Sequence, residues 1–233
     1  MQRHFDEKIQ ELLEKLMMMG SLAESMIQAA LRTLIERDET LCEEVHRREM
    51  EVNELQIEVD DRAVKLTALQ QPVGTDVRFL FMASRIASEL ERIGDQAVNI
   101  CQNAHHILEA PPLKPIVDLP MMGDIAERMV RDSLESLVRK DCSLANHVLE
   151  EEKKVDAYRD QIFRILLTHM MADPGTIQRA LSLILISRNL ERVGDHATNI
   201  AEEVIYLVEG REVRHQHEIK TRGVPSESVD TPL

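Results

Sequence analysis

The sequence predicts an all-α protein made of two tandem three-helix bundles related by internal duplication. Three observations predict it. Apolar residues recur at three-and-four spacing along nearly the whole chain, as they do in helices that bury one stripe. The phrase LERIGDQAVNI at position 90 returns as LERVGDHATNI at position 190, identical at eight of eleven positions. Between the copies lies Ala110-Pro111-Pro112-Leu113-Lys114-Pro115, where three prolines in five residues cannot continue a helix.

The first helix starts near Phe5, carries Ile9, Leu12, Leu13 and Leu16 on one stripe, and resumes past Gly20 through Leu22, Met26, Ala29, Ala30 and Leu34. Arg37-Asp38-Glu39-Thr40 interrupts it. The second runs from about Leu41 to Leu69 and stops before Pro72, which disfavours helix in the residue preceding it. Thr75 is a suitable N-cap for the third, which reaches about Leu108. After the prolines the order recurs: about Ile116 to Arg139, about Cys142 to Met171, a stop at Asp173-Pro174-Gly175, then Thr176 to about Glu209. A shift of 103 residues lays Glu24 on Glu127, Leu31 on Leu134, Asp38 on Asp141, Glu49 on Glu152 and Asn53 on Asp156; past the proline-containing turns the shift becomes 100. The expected units are therefore a bundle over 1–110, a second over 116–210, and a disordered tail over 211–233, which has no apolar period.

Composition narrows the function. Forty-two acids against twenty-eight bases give a net charge of −14, which argues against a sequence-independent grip on nucleic acid and favours cations. Cys42, Cys101 and Cys142 show no metal-finger or CxxC spacing and read as reduced thiols of a cytosolic protein. No signal peptide is read, and the densest apolar stretch, Leu181 to Ile186, is far short of the roughly 20 residues of a membrane span. A soluble protein with no direct membrane insertion is expected, free to dock on membrane proteins.

On a helix, Leu90, Ile93, Ala97, Ile100 and Ala104 form one stripe, with Gly94 beside them where another helix could approach closely. Glu91, Asp95, Asn99 and Gln102 fall on a second stripe, and Glu191, Asp195, Asn199 and Glu202 repeat it, so both halves are expected to present an outward ladder of oxygens. Acids at i and i+4 repel by about 0.2–0.5 kcal/mol, and no base four residues away relieves either pair. Glu49-x-x-x-Asn53 and Glu152-x-x-x-Asp156 lie at the flank of the second-helix seams, where a neighbouring helix could add its carboxylates. Oxygen-only donors suit Mg, Ca, Mn or Fe better than a structural zinc site. Spacing alone also fits a solvated face; the duplicated register is what favours ligands. Met17-Met18-Met19 and Met170-Met171 read as adaptable core filler, and His105-His106 and His215-Gln216-His217 as a helix end and a tail.

The two motif copies, with Gln71-Pro72, Lys154-Val155-Asp156, Met170-Met171-Ala172-Asp173 and the closing YLVEGREVRH, resemble the PhoU family of phosphate-transport accessory and regulatory proteins over residues 1 to about 215. The resemblance implies paired three-helix bundles with multinuclear metal sites, iron in some members, with Fe, Mn, Mg or Zn as candidates here. Carried over by residue, the metal ligands are Glu49, Asn53, Glu91 and Asp95, then Glu152, Asp156, Glu191 and Asp195. Asn53 is neutral where the second half has Asp156, so weaker or differently charged binding is expected in the first half. The family resemblance further implies a non-catalytic negative regulator of high-affinity phosphate uptake, bridging the ATPase subunit of a phosphate ABC transporter and a membrane sensor histidine kinase at the cytoplasmic side, and a homodimer.

Two rivals stand beside this. A di-iron carboxylate oxidase would place Glu-x-x-His twice inside a bundle, whereas Glu43-x-x-His46 occurs once in the helical body and Glu212-x-x-His215 lies in the tail. A metal-free helical scaffold is the other.

Overall fold

The computed structural model describes residues 2–108, 111, 113 and 118–213. The chain folds as α1 (Gln2–Arg32), α2 (Thr40–Gln70), α3 (Thr75–Leu108), α4 (Asp118–Arg139), α5 (Cys142–Ala172) and α6 (Ile177–Glu209), with no strand among the described residues. The expected start of the fourth helix at Ile116 and the tail from residue 214 lie outside the described residues. Before that point residues 208–212 are exposed and Val213 is buried.

Helix ends repeat between halves because their residues do. α1 passes into a π turn, Thr33–Arg37, and ends with Arg37 at φ 57°; the matching Lys140 closes α4 at φ 54°. Asp38 then accepts from the Thr40 amide at 3.0 Å, and Asp141 from the Ser143 and Leu144 amides at 2.9 and 3.2 Å. Each aspartate satisfies amide donors that a helix start leaves unpaired.

The seams sit where periodicity puts them. Leu90, Ile93, Ala97, Ile100 and Ala104, and their copies Leu190, Val193, Ala197, Ile200 and Val204, are all fully buried. α2 and α5 bury narrow stripes, through Val45, Val52, Val59 and Ala63 in one and centred on Val148, Val155, Ile162 and Leu166 in the other. Such a stripe serves a helix on the outside of a bundle. Accordingly α2 packs on α1 and α3, and α5 on α4 and α6, while α1, α3, α4 and α6 join the two bundles through α1·α4 and α3·α6.

The joint is pseudo-symmetric. Gln28 Nε2 donates to Glu127 at 2.8 Å, and Arg131 Nε, at the position matching Gln28, donates to Glu24 at 2.9 Å. Leu134 seats its δ-methyl where a Cβ on Gly20 would lie only 2.0 Å away, and Leu31 does the same to Gly123 at 2.2 Å. The close approach expected at Gly94 is present, with Met26 Cε 3.3 Å from the point where its Cβ would lie, but the tightest approaches are these at Gly20 and Gly123. A Cβ on Gly194 would meet its nearest neighbours, in Met129 and Val155, at an ordinary 3.6 Å. Two methionines also depart from the core reading, since Met18 and Met171 are exposed.

Candidate metal centres

The glycine of each motif copy sets the register between the carboxylate-bearing helices. Val52 Cγ1 of α2 lies 4.0 Å from the point where a Gly94 Cβ would sit, and Val155 Cγ1 of α5 lies 3.6 Å from the same point on Gly194. With a valine docked on each glycine, the acids one position ahead of and three behind that valine flank those on the adjoining helix.

In the first half this brings Glu49 of α2 up to Glu91 and Asp95 of α3. Burial raises the Glu91 carboxyl above its ordinary value, and repulsion from Asp95 and Glu49 adds to it. Burial, then Glu49, raises Asp95 in the same way. Asn53 Nδ2 donates to Glu49 Oε1 at 2.6 Å, which leaves Asn53 Oδ1 buried and without a hydrogen-bond partner.

In the second half Glu152, Asp156, Glu191 and Asp195 come together. Burial raises the Glu152 carboxyl, followed by repulsion from Asp195, Asp156 and Glu191. Burial, then Glu191 and Asp156, raises Asp195. Here the expectation of an unneutralised cluster is corrected. Arg159 of α5 inserts Nη1 between Asp156, at 3.2 Å, and Glu191, while its Nε and Nη2 hold Asp160 at 3.1 and 2.9 Å. One turn along α5 from Asp156 but 32 residues from Glu191, it lies outside the motif's own neighbourhood in sequence. It also removes the charge argument for a weaker first site. Three acids with Asn53, and four acids with Arg159, both sum to −3.

The outward ladder needs a second correction. Asn199 turns toward α3 and donates to Glu89 Oε2 at 3.0 Å, beside His196 Nδ1 at 2.8 Å from the same oxygen. Burial alone would raise Glu89, but the hydrogen bonds from His196 and Asn199 outweigh it and hold the carboxyl below its ordinary value. The face read as solvent-directed is in this part the α3·α6 joint. Charge on His196 works against the rise of the Glu91 and Asp195 carboxyls.

As the side chains stand, no three His, Cys, Asp or Glu groups among the described residues converge on a point that could hold a metal. Instead, Asn53 engages Glu49, and Arg159 engages Asp156 and Glu191. Glu43 and His46 open on a cavity of about 700 Å³ at the end of the first bundle, with Cys42, Cys101 and His105, rather than facing a bundle interior.

The two bundles match a family model. The PhoU domain fits residues 16–104 and again 119–204, one copy per bundle. The chain belongs to the PhoU family. A phosphate-specific transport system accessory protein PhoU homolog from Pseudomonas putida is 37% identical over 214 residues, 91% of this chain and 84% of that protein. The crystal structure of PhoU from Pseudomonas aeruginosa superposes with a TM-score of 0.86 at 35% identity, covering 89% of this chain and 100% of that one. That of the phosphate transport system regulatory protein PhoU from Streptococcus pneumoniae gives 0.83 at 25% identity, covering 90% and 99%.

Proposed function

We propose that the chain is a non-catalytic regulator of phosphate homeostasis. It negatively regulates high-affinity phosphate uptake and the phosphate-starvation response, bridging the ATPase subunit of a phosphate ABC transporter and a membrane sensor histidine kinase at the cytoplasmic face, as a homodimer. The observation that carries this is family membership over both bundles, in a family whose relatives are named for phosphate transport and its regulation. Two features of the molecule support a docking role. No described helix is long and apolar enough to cross a membrane, so contact with membrane complexes would run through partners. Met50, Ile57 and Val64 stand exposed at seven-residue spacing along α2, an apolar line that nothing among the described residues covers. Regulation then follows from preference: the transporter or kinase conformation that these helices bind better becomes the more populated one.

The reading includes metal ions at Glu49, Asn53, Glu91 and Asp95, and at Glu152, Asp156, Glu191 and Asp195. The donor set fits a hard or borderline cation: it is all oxygen, partly desolvated and mutually repelling, with the orphaned Asn53 Oδ1 in one half and a guanidinium standing in for a cation in the other. A bound cation would supply the positive charge that lets these carboxylates ionise side by side. Arg159 ties α5 to α6 through Glu191.

Affinity capture of the full chain from phosphate-rich and phosphate-starved cells tests the regulatory role. Recovery of the transporter ATPase or the sensor kinase, changing with phosphate, is expected; recovery of neither in both conditions refutes it. Elemental analysis of protein purified without chelator tests the metal. The Glu91→Ala, Asp95→Ala, Glu191→Ala, Asp195→Ala variant is expected to lose the bound metal, and equal metal content in both proteins would exclude these sites.

A further inference from the structure

Arg159 has no counterpart in the first half. The position matching it by the shift of 103 residues is Gln56, and the position matching Asp156 is Asn53. The two differences belong together: the half with the additional acid also has the additional base, and the base lies on that acid. The manner in which Arg159 lies there matters more than its charge. Two of its nitrogens grip Asp160, which is exposed and outside the cluster, and only the third, Nη1, enters between Asp156 and Glu191. A planar guanidinium that donates from two nitrogens to one Asp160 oxygen at its outer edge has a partner to retain when the inner nitrogen withdraws. Arg159 bonds neither Glu152 nor Asp195, whose carboxyls stay raised by burial and by the neighbouring acids, so the plug satisfies only part of the cluster.

We infer that Arg159 is a built-in competitor for the cation at the second-half cluster: Nη1 occupies the place between Asp156 and Glu191 that a metal ion would take, and binding there requires Arg159 to fall back on Asp160. This rests on the metal reading given above and adds to it that the two centres differ in affinity for a reason other than ligand number. The first-half cluster, with Gln56 at the matching position, fills first; the second fills only when the cation concentration is high enough to displace the arginine.

The test is Mn²⁺ binding to the full chain, followed by equilibrium dialysis and by the electron paramagnetic resonance signal of free Mn²⁺. With the first cluster disabled by Glu91→Ala and Asp95→Ala, adding Arg159→Gln is expected to tighten Mn²⁺ binding by about tenfold, or about 1.4 kcal/mol. Should Arg159→Gln fail to fold, the reciprocal change carries the test. With Glu191→Ala and Asp195→Ala disabling the second cluster, Gln56→Arg is expected to weaken binding at the first by a similar factor. Mn²⁺ affinity unchanged by Arg159→Gln or, where that variant does not fold, by Gln56→Arg overturns the competition while leaving the metal reading intact. Absence of Mn²⁺ binding to the unaltered chain overturns both.

Discussion

Gly20 offers the sharpest test of how the two bundles are joined. Replacing it with alanine would set a Cβ 2.0 Å from Leu134 Cδ1 and 3.4 Å from its Cγ, where carbon atoms prefer about 3.5–4.0 Å. The near atom is the end of a side chain, which would normally swing aside. Leu134 is fully buried between helices, however, and has no solvent to swing into. Relief needs an off-rotamer leucine or a wider α1·α4 separation, an overpacking cost of about 1–3 kcal/mol. Against this, alanine gains about 1 kcal/mol over glycine in a helix interior. Gly194→Ala is the matched control, since it makes the same gain while its Cβ meets Met129 and Val155 at an ordinary 3.6 Å. The propensity term cancels in the comparison. Gly20→Ala should therefore be about 1–3 kcal/mol less stable than Gly194→Ala in urea unfolding of chelator-treated protein. Gly123→Ala should match it, because Leu31 Cδ1 lies 2.2 Å from its added Cβ. In a Leu134→Ala background the penalty at Gly20 should vanish. Equal stability of the Gly20 and Gly194 variants would refute the notch-and-methyl joint.

Three further outcomes follow from the geometry. Asp141→Ala removes the acceptor of the Ser143 and Leu144 amides and should cost about 1 kcal/mol, seen as a melting temperature lowered by about 2–4 °C. Glu89→Ala strands the donors of His196 and Asn199 inside the α3·α6 joint and should cost about 1–3 kcal/mol at neutral pH. Because the Glu89 carboxyl is held below its ordinary value, its contribution is present above about pH 4.3 and lost as pH falls through the lowered value, so the variant and the unaltered chain should converge in acid melts. Glu91, Asp95, Glu152 and Asp195 have the opposite sign. Their raised carboxyls strain the metal-free fold as pH rises through the ordinary carboxylate range, about 4, and beyond, so stabilisation by Mn²⁺ should be full at pH 7 and shrink as pH falls toward that range. A Mn²⁺-induced melting shift independent of pH across that interval would contradict it.

Much of the fold could be read along the chain because helices are local. The valine line of α2 and the seams of α3 and α6 depend on a period of 3.6 residues, which neighbours in sequence reveal, and the turns on Pro72 and Pro174. Glu49, Glu91 and Asp95, like Glu152, Glu191 and Asp195, could be nominated because each pair of helices is joined by a short turn and must lie side by side. Which face of α6 meets α3 is different in kind. That choice is made between helices about a hundred residues apart, and a wheel drawn for α6 alone assigned Asn199 to solvent when it reaches Glu89. The same limit hid Leu134 from Gly20.

The duplication helps to separate what holds the fold from what tunes the clusters. Where the halves agree, in Gly20 with Gly123, Leu31 with Leu134, Glu24 with Glu127 and Asp38 with Asp141, the residues build the α1·α4 joint and the helix starts. Where they disagree, in Asn53 against Asp156, Gln56 against Arg159, Glu89 against Asn189 and Gln96 against His196, the residues are on or beside the motif helices. Agreement is what a two-fold joint demands, since a clash or an unpaired acid on either side would be felt twice. Disagreement at the clusters is permitted only if charge is kept in balance locally, and it is: Asp156 arrives with Arg159, and Glu89 faces His196 and Asn199. If both clusters take up a cation as proposed, their equal formal charge but different internal partners would make them respond differently to one cation concentration, and the chain would have two thresholds rather than one.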